Sequence, residues 1–134
     1  MAVRCLIVDD NPHFLEVARE LLNREGIVVV GVASTGAEAL ERTDELHPEL
    51  TLVDIDLGEE SGFDVAERLA DATAGRARVI LISTYAWTDF ADLVAASPAV
   101  GFLSKSELSA TAISLILESA DGEAQGDASE PRGR

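Results

Sequence analysis

The sequence predicts an α/β protein built on a single five-stranded parallel sheet with helices on both faces. Two observations predict this class. Five short apolar runs, mostly rich in β-branched residues and without regular polar alternation, are typical of strands covered on both sides. Amphipathic stretches with helical spacing separate these runs from one end of the chain to the other. The length of 134 residues suits one domain.

The five predicted strands follow one another at regular intervals. They lie at Arg4–Val8, Ile27–Val30, Leu50–Val53, Val79–Ile82 and Val100–Leu103. A strand, helix and strand in succession form a right-handed crossover, which keeps the two strands parallel. We therefore expect the flavodoxin-like strand order 2-1-3-4-5, in which the first, third, fourth and fifth strands meet around the switch point.

Apolar stripes mark the helices between these strands. The first helix is predicted to begin at Asn11-Pro12, because a capping residue is followed there by a first-turn proline. The stripes are Phe14, Leu15, Ala18, Leu21 and Leu22, then Val65, Leu69 and Ala72, and finally Ile113, Ile116, Leu117 and Ala120. From Asp121 onward there is no Val, Leu, Ile or aromatic residue. We expect one domain over residues 1–120 and a disordered acidic tail over residues 121–134, with no output domain.

Composition argues against several functional classes. A formal net charge of -15, with only ten Lys and Arg residues, is unsuited to binding nucleic acid or an anionic membrane directly. No apolar run approaches the roughly 20 residues that cross a bilayer, and the N-terminus does not resemble a secretory signal. The single cysteine, Cys5, lies in an apolar run and is expected to be a buried small hydrophobe. A cytoplasmic protein is therefore expected.

Ionisable and hydroxyl side chains follow four of the five strands. The residues at these strand ends are Asp9, Asp10, Asp54, Asp56, Ser83 and Lys105. Each alone is explained equally well as a turn or loop residue, but together they occupy the edge where open α/β sheets bind ligands. Two carboxylates about 5 Å apart repel by roughly 3 kcal/mol at an effective dielectric near 20. A bound Mg²⁺, which prefers oxygen ligands, offsets that repulsion.

These residues and their surroundings resemble the receiver domain of two-component response regulators, including the chemotaxis regulators. The resemblance runs from about Val3 to Ala120, and the matching segments are LIVDDNP, LTLVDIDLGEESGFD, VILIST and GFLSKSEL. It implies a phosphoprotein that is not an enzyme in the ordinary sense, although it promotes its own phosphorylation and slow dephosphorylation. The phosphoryl donor would be a sensor histidine kinase, a histidine phosphotransfer protein or a small phosphodonor.

The resemblance also implies a role for each residue at the strand ends. Asp54 is the expected phosphoacceptor. Asp10 and Asp54 would bind Mg²⁺ through their carboxylates, Asp56 through its backbone carbonyl, and Asp9 through a water molecule. Lys105 would pair with the phosphoryl oxygens. We therefore expect Mg²⁺ as the cofactor.

A switch is implied as well. The Ser83 hydroxyl would hydrogen-bond the phosphoryl group, and Phe102, three residues before Lys105, takes the position of the switch aromatic. Their movement would repack the surface of the fourth helix, fifth strand and fifth helix for a downstream protein partner or a receiver homodimer. Trp87, Phe90 and Leu93 are expected on or near that surface, with ordinary helix packing as the alternative.

Several positions depart from the commonest pattern of the family. Gly58 stands where proline is usual, which should loosen the loop after Asp54. Thr84 replaces a smaller residue beside Ser83 and should narrow the access to Asp54, and Ser106 replaces a frequent proline. By resemblance, the side chains of Asp56 and Tyr85 border the path of a hydrolytic water. None of these departures removes a chemical group that the switch requires.

Two other functions fit parts of the sequence. Asp54-Ile55-Asp56 is also the Asp-x-Asp pattern of haloacid-dehalogenase-type phosphatases. In that superfamily the pattern is on an early strand and an acidic pair comes last, whereas here the Asp9-Asp10 pair comes first. The other alternative is a pseudo-receiver that acts as a phosphorylation-independent adaptor. The presence of Asp10, Asp54, Ser83 and Lys105 favours a working phosphoacceptor over both.

Overall fold

The computed structural model describes residues 2–129. Its seven strands are β1 (Arg4–Val8), β2 (Val28–Ala33), β3 (Leu50–Asp54), β4 (Asp56–Leu57), β5 (Glu60–Ser61), β6 (Arg78–Ser83) and β7 (Gly101–Ser104). Its five α-helices are α1 (Pro12–Arg24), α2 (Gly36–Leu46), α3 (Gly62–Thr73), α4 (Ala91–Ala96) and α5 (Ala110–Ser129). Short 3-10 turns cover residues 87–89 and 105–107.

The main sheet is parallel throughout, with the order β2-β1-β3-β6-β7. Along the chain, β4 and β5 come between β3 and β6, but they form a separate two-stranded antiparallel ribbon. The strands β6 and β7 are therefore the fourth and fifth strands of the main sheet, which confirms the predicted order 2-1-3-4-5. The register brings the strand ends level with one another. Val8 is opposite Val53, Asp54 is opposite Ile82, and Ser83 is opposite Ser104.

Two apolar layers enclose the sheet, which confirms helices on both faces. Alternate strand residues point to opposite faces, so in β1 Cys5 and Ile7 join the layer formed with α1 and α5, while Leu6 and Val8 join the layer formed with α2 and α3. Cys5 is fully buried, as predicted, and burial raises the pKa of its thiol to about 12. It therefore behaves as an apolar residue.

The first helix begins where the sequence predicts. The Asn11 side chain accepts hydrogen bonds from the N–H groups of His13 and Phe14, at 3.0 and 3.2 Å, and Pro12 occupies the first helical position. These contacts satisfy donors that a helix start otherwise leaves unpaired. The orientation of this first turn matters for the site, because Asn11 directly follows the two aspartates after β1.

The second strand is longer than predicted. It runs through Gly31 to Ala33, three residues past the predicted end at Val30. A Cβ on Gly31 would lie 2.8 Å from Cδ1 of Leu46, so the glycine interrupts the apolar run but allows α2 to pack closely on the strand. The extra residues bring Ala33 alongside Val8 and Asp9, at the edge of the site.

The last helix extends beyond the predicted domain boundary. Its backbone continues to Ser129, whereas a disordered tail was expected from Asp121. Elongation from a docked turn needs no new nucleation, so a helix can extend past its buried residues, which among residues 110–120 end at Leu117. The domain boundary at Ala120 stays a prediction, and the part of the tail at residues 130–134 lies outside the described residues. Within residues 2–129, no helix is both long and apolar enough to span a membrane.

Candidate functional site

One cavity lies beyond the carboxyl ends of β1, β3, β6 and β7. Its volume is about 280 Å³, and its lining is Asp9, Asp10, Asn11, Asp54, Asp56, Gly58, Ser83, Thr84, Tyr85 and Lys105. The structure therefore brings together all the residues that the sequence placed at the strand ends. Of the predicted site residues, Phe102 is the one placed elsewhere, in a neighbouring groove.

Lys105 is the cation of this cavity, and two carboxylates hold it. Its Nζ lies 2.6 Å from Oδ2 of Asp9 and 3.1 Å from Oδ2 of Asp54. Asp9 is fully buried and Asp54 is 7% exposed. The second oxygen of each carboxylate accepts a backbone hydrogen bond, from Asn11 N–H at 2.9 Å and from Asp56 N–H at 3.1 Å respectively. These contacts fix both carboxylates at the base of the cavity.

The electrostatics of the cavity remain unbalanced. Burial, together with the charge of Asp9, raises the pKa of Asp54 to about 6, and the hydrogen bonds from Asp56 N–H and Lys105 only partly oppose this. For Lys105, burial alone would lower the pKa, but the carboxylates of Asp9 and Asp54 outweigh burial and raise it. Lys105 thus stays charged at neutral pH, while Asp54 is a more basic carboxylate than usual.

A third carboxylate completes the donor set for a cation. Asp9, Asp10 and Asp54 each offer one oxygen, and these oxygens all lie within 4.8 Å of one another. Asp10 is exposed, so the cluster opens to solvent. Three carboxylates against one ammonium leave an excess of negative charge, and hard oxygen donors of this kind suit Mg²⁺ or Ca²⁺. The residues present therefore fit a divalent cation.

Asp56 and Gly58 form the rim on one side. The Asp56 carboxylate accepts a hydrogen bond from Gly58 N–H at 3.2 Å, and Gly58 has a φ of 77°. That backbone conformation is open to glycine but not to proline, whose ring fixes φ near -65°. The sequence predicted a loosened loop here. The structure instead shows β4 and β5 paired as a ribbon, and the side chain of Leu57 in β4 is buried.

Ser83, Thr84 and Tyr85 form the opposite rim. Ser83 is 1% exposed, and its Oγ accepts a hydrogen bond from Tyr85 N–H at 3.0 Å. Thr84 and Tyr85 line the cavity and are exposed. That Thr84 narrows the access to Asp54 stays a prediction. The Tyr85 ring lies 6.3 Å from the ring of Phe90, centroid to centroid.

Phe102 lies in a groove next to the cavity. The other residues of this groove are Thr84, Ala86, Ser104 and Glu107. Phe102 is partly buried, and its ring centroid lies 6.4 Å from that of Phe90, which packs on the core beside α3. Leu93 is exposed on α4, and the side chain of Trp87 lies outside the described part of the structure. Phe90 thus takes part in ordinary core packing while also bordering the predicted switch surface.

Two contacts at the site were not predicted. The Phe14 ring lies 4.3 Å from Nζ of Lys105, a cation–π distance, although the sequence marked Phe14 only as part of an apolar stripe. Gly62, the first residue of α3, packs so closely on β3 that an added Cβ would overlap the Asp54 carbonyl oxygen. Its N–H also donates to Ile55 O at 2.8 Å. The glycine in the segment SGFD could have indicated this close approach of α3 to β3. The Phe14 contact could not be predicted, because it depends on how α1 docks on the sheet.

The fold and the acidic cluster define a receiver-type domain, and similarity to known proteins agrees with this. The chain belongs to the response regulator receiver domain family, whose model matches residues 5–116. It is 35% identical to the chemotaxis protein CheY of Bacillus subtilis over 83 residues, covering 62% of this chain and 68% of that protein. The main sheet and its helices are those of the CheY fold.

Solved structures of response regulator proteins have the same fold as this chain. A response regulator protein from Burkholderia pseudomallei, determined with a phosphorylated aspartic acid, a calcium ion and citrate, superposes with a TM-score of 0.75 at 27% identity. The match covers 95% of this chain and 73% of that one. A CheY-like receiver domain protein from Methanospirillum hungatei also gives a TM-score of 0.75, at 26% identity, with 94% and 100% covered.

Other relatives are longer proteins. A transcriptional regulator of Pseudomonas aeruginosa is 34% identical over 104 residues, which is 78% of this chain but 50% of that protein. A protein-glutamate methylesterase/protein-glutamine glutaminase of Myxococcus xanthus is 37% identical over 83 residues, or 61% of this chain and 24% of that protein. The chain thus spans half or less of the length of these two relatives.

Proposed function

We propose that this receiver domain accepts a phosphoryl group on Asp54 in the presence of Mg²⁺. One observation carries the proposal. The Asp54 carboxylate lies at the end of β3, 3.1 Å from the Lys105 ammonium, and its oxygen is within 4.8 Å of those of Asp9 and Asp10. The Burkholderia pseudomallei relative, which has a phosphorylated aspartic acid and a bound calcium ion, supports the same chemistry.

The reaction is a displacement at phosphorus. A carboxylate oxygen of Asp54 forms the new bond to phosphorus, while the bond from phosphorus to the donor breaks and its electron pair leaves with the donor. The donor would be a phosphohistidine of a sensor kinase or phosphotransfer protein, or a small acyl phosphate. Bound Mg²⁺ would supply positive charge that offsets the approach of two anions. Asp10 and Asp54 would hold it through carboxylates, Asp56 through its carbonyl and Asp9 through water.

Lys105 and Ser83 would bind the transferred group. The Lys105 ammonium, already between Asp9 and Asp54, is placed to exchange a carboxylate contact for a phosphoryl oxygen. The Ser83 hydroxyl lies in the lining of the same cavity and would gain a charge-assisted hydrogen bond by turning towards the phosphoryl group. These two contacts would exist only in the phosphorylated protein.

The output of the switch would be the surface of α4, β7 and α5. Phe102 borders this surface, and a shift of Ser83 towards Asp54 would leave space for its ring to move inward. The partner would be a downstream protein or a second receiver domain, and the protein would act in the cytoplasm. Neither direct binding to nucleic acid nor binding to a membrane is part of the proposal, since the net charge is -15.

Intact-mass measurement tests the phosphoacceptor directly. After incubation with acetyl phosphate and Mg²⁺, we expect the wild-type chain to gain the mass of one phosphoryl group and Asp54→Ala to gain none. Asp64→Ala, which removes an exposed carboxylate on α3, serves as the matched control and should label normally. Labelling that persists in Asp54→Ala, or that is complete in excess chelator, would overturn the proposal.

A further inference from the structure

The Glu60 side chain joins three elements next to the site. Glu60 belongs to β5, and its Oε2 accepts a hydrogen bond from the N–H of Gly36, the first residue of α2, at 3.0 Å. Its Oε1 accepts from Nη2 of Arg68 on α3 at 2.9 Å. One carboxylate therefore links the β4–β5 ribbon to both helices on this face of the sheet.

The ribbon that Glu60 anchors carries one rim of the cavity. Asp56 pairs with Ser61 and Leu57 with Glu60, so both strands contain only two residues. Gly58, in the turn between them, lines the cavity with Asp56. A two-stranded ribbon this short is not stable by itself in water. The rim depends on contacts that tie the ribbon to the rest of the molecule.

We propose that Glu60 is a positioning residue that holds the β4–β5 ribbon, and with it the backbone of Asp56 and Gly58, in the arrangement that the cation site requires. The part concerning the cation rests on the proposed function, whereas the part concerning the ribbon does not. The buried side chain of Leu57 fixes the centre of the ribbon, and Gly62 N–H to Ile55 O fixes its base. Glu60 supplies the lateral link.

Global stability is not what this link provides. The side chains of Glu60 and Arg68 are 31% and 48% exposed, and ion pairs of that exposure contribute little to the free energy of unfolding. The Gly36 N–H, followed by the Arg68 guanidinium, lowers the pKa of Glu60, so the carboxylate is charged at neutral pH. Its effect is local order in a segment with few other restraints.

Gly36 offers a way to break the link without touching Glu60. A Cβ at this position would overlap Oε1 of Glu60 and lie 2.7 Å from Nη2 of Arg68. The Glu60 and Arg68 atoms are at the ends of flexible side chains and can be displaced, whereas Cγ2 of buried Val65, 3.0 Å from the added Cβ, would have to shift by a few tenths of an ångström. Gly36→Ala should therefore break the link while the protein stays folded. This variant therefore separates order in the ribbon from stability of the fold.

Hydrogen exchange and Mg²⁺ calorimetry on the full chain test the proposal. The variants are Glu60→Gln and Gly36→Ala, with Glu59→Gln as the matched control, because it removes the same charge from the exposed neighbouring residue. In metal-free buffer we expect amides 55–62 to exchange about tenfold faster in both variants and at the wild-type rate in Glu59→Gln. The Kd for Mg²⁺ should rise about tenfold in both, as for residues that support metal ligands. Melting temperatures should not fall in Gly36→Ala.

The possible results separate this proposal from the proposed function. Unchanged exchange in both variants, or equal acceleration in Glu59→Gln, would overturn the role of Glu60 in the ribbon. Faster exchange with an unchanged Kd would overturn its role towards the cation. A wild-type chain that binds no Mg²⁺ would remove the cation part and contradict the proposed function, while the exchange rates still decide the part concerning the ribbon.

Discussion

At the scale of single residues, Asp54 combines two demands that oppose each other. It is buried enough for its pKa to rise to about 6, yet the proposed role as phosphoacceptor requires a charged carboxylate. The Lys105 ammonium, 3.1 Å from Asp54, favours the charged form of the Asp54 carboxylate, whereas the charge of Asp9 disfavours it. A bound cation would further favour the charged form. The proposed chemistry and the expected cost in stability therefore involve the same carboxylate.

This conflict predicts how stability depends on pH. An unfolded Asp has a pKa near 3.9, so between about pH 4 and 6 the unfolded chain has lost a proton that folded Asp54 retains. The unfolded state then binds fewer protons, and the free energy of unfolding falls as pH rises, by about 3 kcal/mol in total. Asn at position 54 removes this contribution.

Urea unfolding without metal, at intervals from pH 4 to 7, measures the effect. We expect Asp54→Asn to gain stability relative to the wild type as pH rises through that window. Because both proteins share all other titrating groups, their difference reports the Asp54 carboxylate together with its effect on Lys105. A difference that stays constant between pH 4 and 7 would contradict the raised pKa of Asp54.

Tyr85 is expected to lengthen the life of the aspartyl phosphate. Hydrolysis needs a water in line with the bond from Asp54 to phosphorus, and Tyr85, a residue that is 60% exposed, lines the cavity. Its bulk should restrict that water, so Tyr85→Ala should lose the phosphoryl mass faster once the donor is removed. Tyr85→Phe is the control, since it keeps the ring. An unchanged or longer lifetime in Tyr85→Ala would contradict this role of Tyr85. Asp56 would then be the residue to test for control of the water.

At the scale of elements, the sequence predicted the main sheet because short apolar runs rich in β-branched residues, separated by helical stretches, are typical of buried parallel strands. It could not predict the β4–β5 ribbon, since strands of two residues leave no periodic pattern. The end of β2 at Ala33 was also missed, because Gly31 interrupts the apolar run from which the strand was predicted. The role of this glycine is to admit Leu46 of α2, and that neighbour is distant in sequence.

The same limit applies to the site. Asp9, Asp10, Asp54, Ser83 and Lys105 were predicted to lie together because each is one or two residues past the end of a predicted strand, and parallel strands end at one edge. The cation–π contact of Phe14 and the Glu60 link depend on how α1, α2 and α3 dock on the sheet. The local sequence predicted where the strands of the site end, although it missed the end of β2. It does not predict which side chains of the packed helices contact the residues at those strand ends.

At the scale of the whole molecule, Ile113 and Leu117 of α5 are buried against the sheet, and residues 118–120 are not buried. The domain boundary at Ala120 remains a prediction from the sequence, and the helical backbone continues past it to Ser129. A chain ending at Ala120 should therefore keep the wild-type free energy of unfolding within about 0.5 kcal/mol, the usual range for changes away from the core.

Chemical unfolding of residues 1–120 and of the full chain provides the comparison. Phosphorylation of Asp54 by acetyl phosphate should also proceed at the same rate in both, because the site is formed by β1, β3, β6 and β7. A loss of more than about 1 kcal/mol in the shorter chain would show that residues after Ala120 pack on the domain. The boundary would then move towards the end of α5.

The complete burial of Cys5 has a practical consequence for spectroscopy. It is the only cysteine in the chain, and its buried thiol with a pKa of about 12 reacts poorly with maleimides and other thiol reagents. A cysteine introduced at an exposed position would therefore be labelled selectively, without first removing a native thiol from the core. Fluorophores or spin labels attached to α4 and to the β4–β5 ribbon would then report distances across this protein in an otherwise wild-type background.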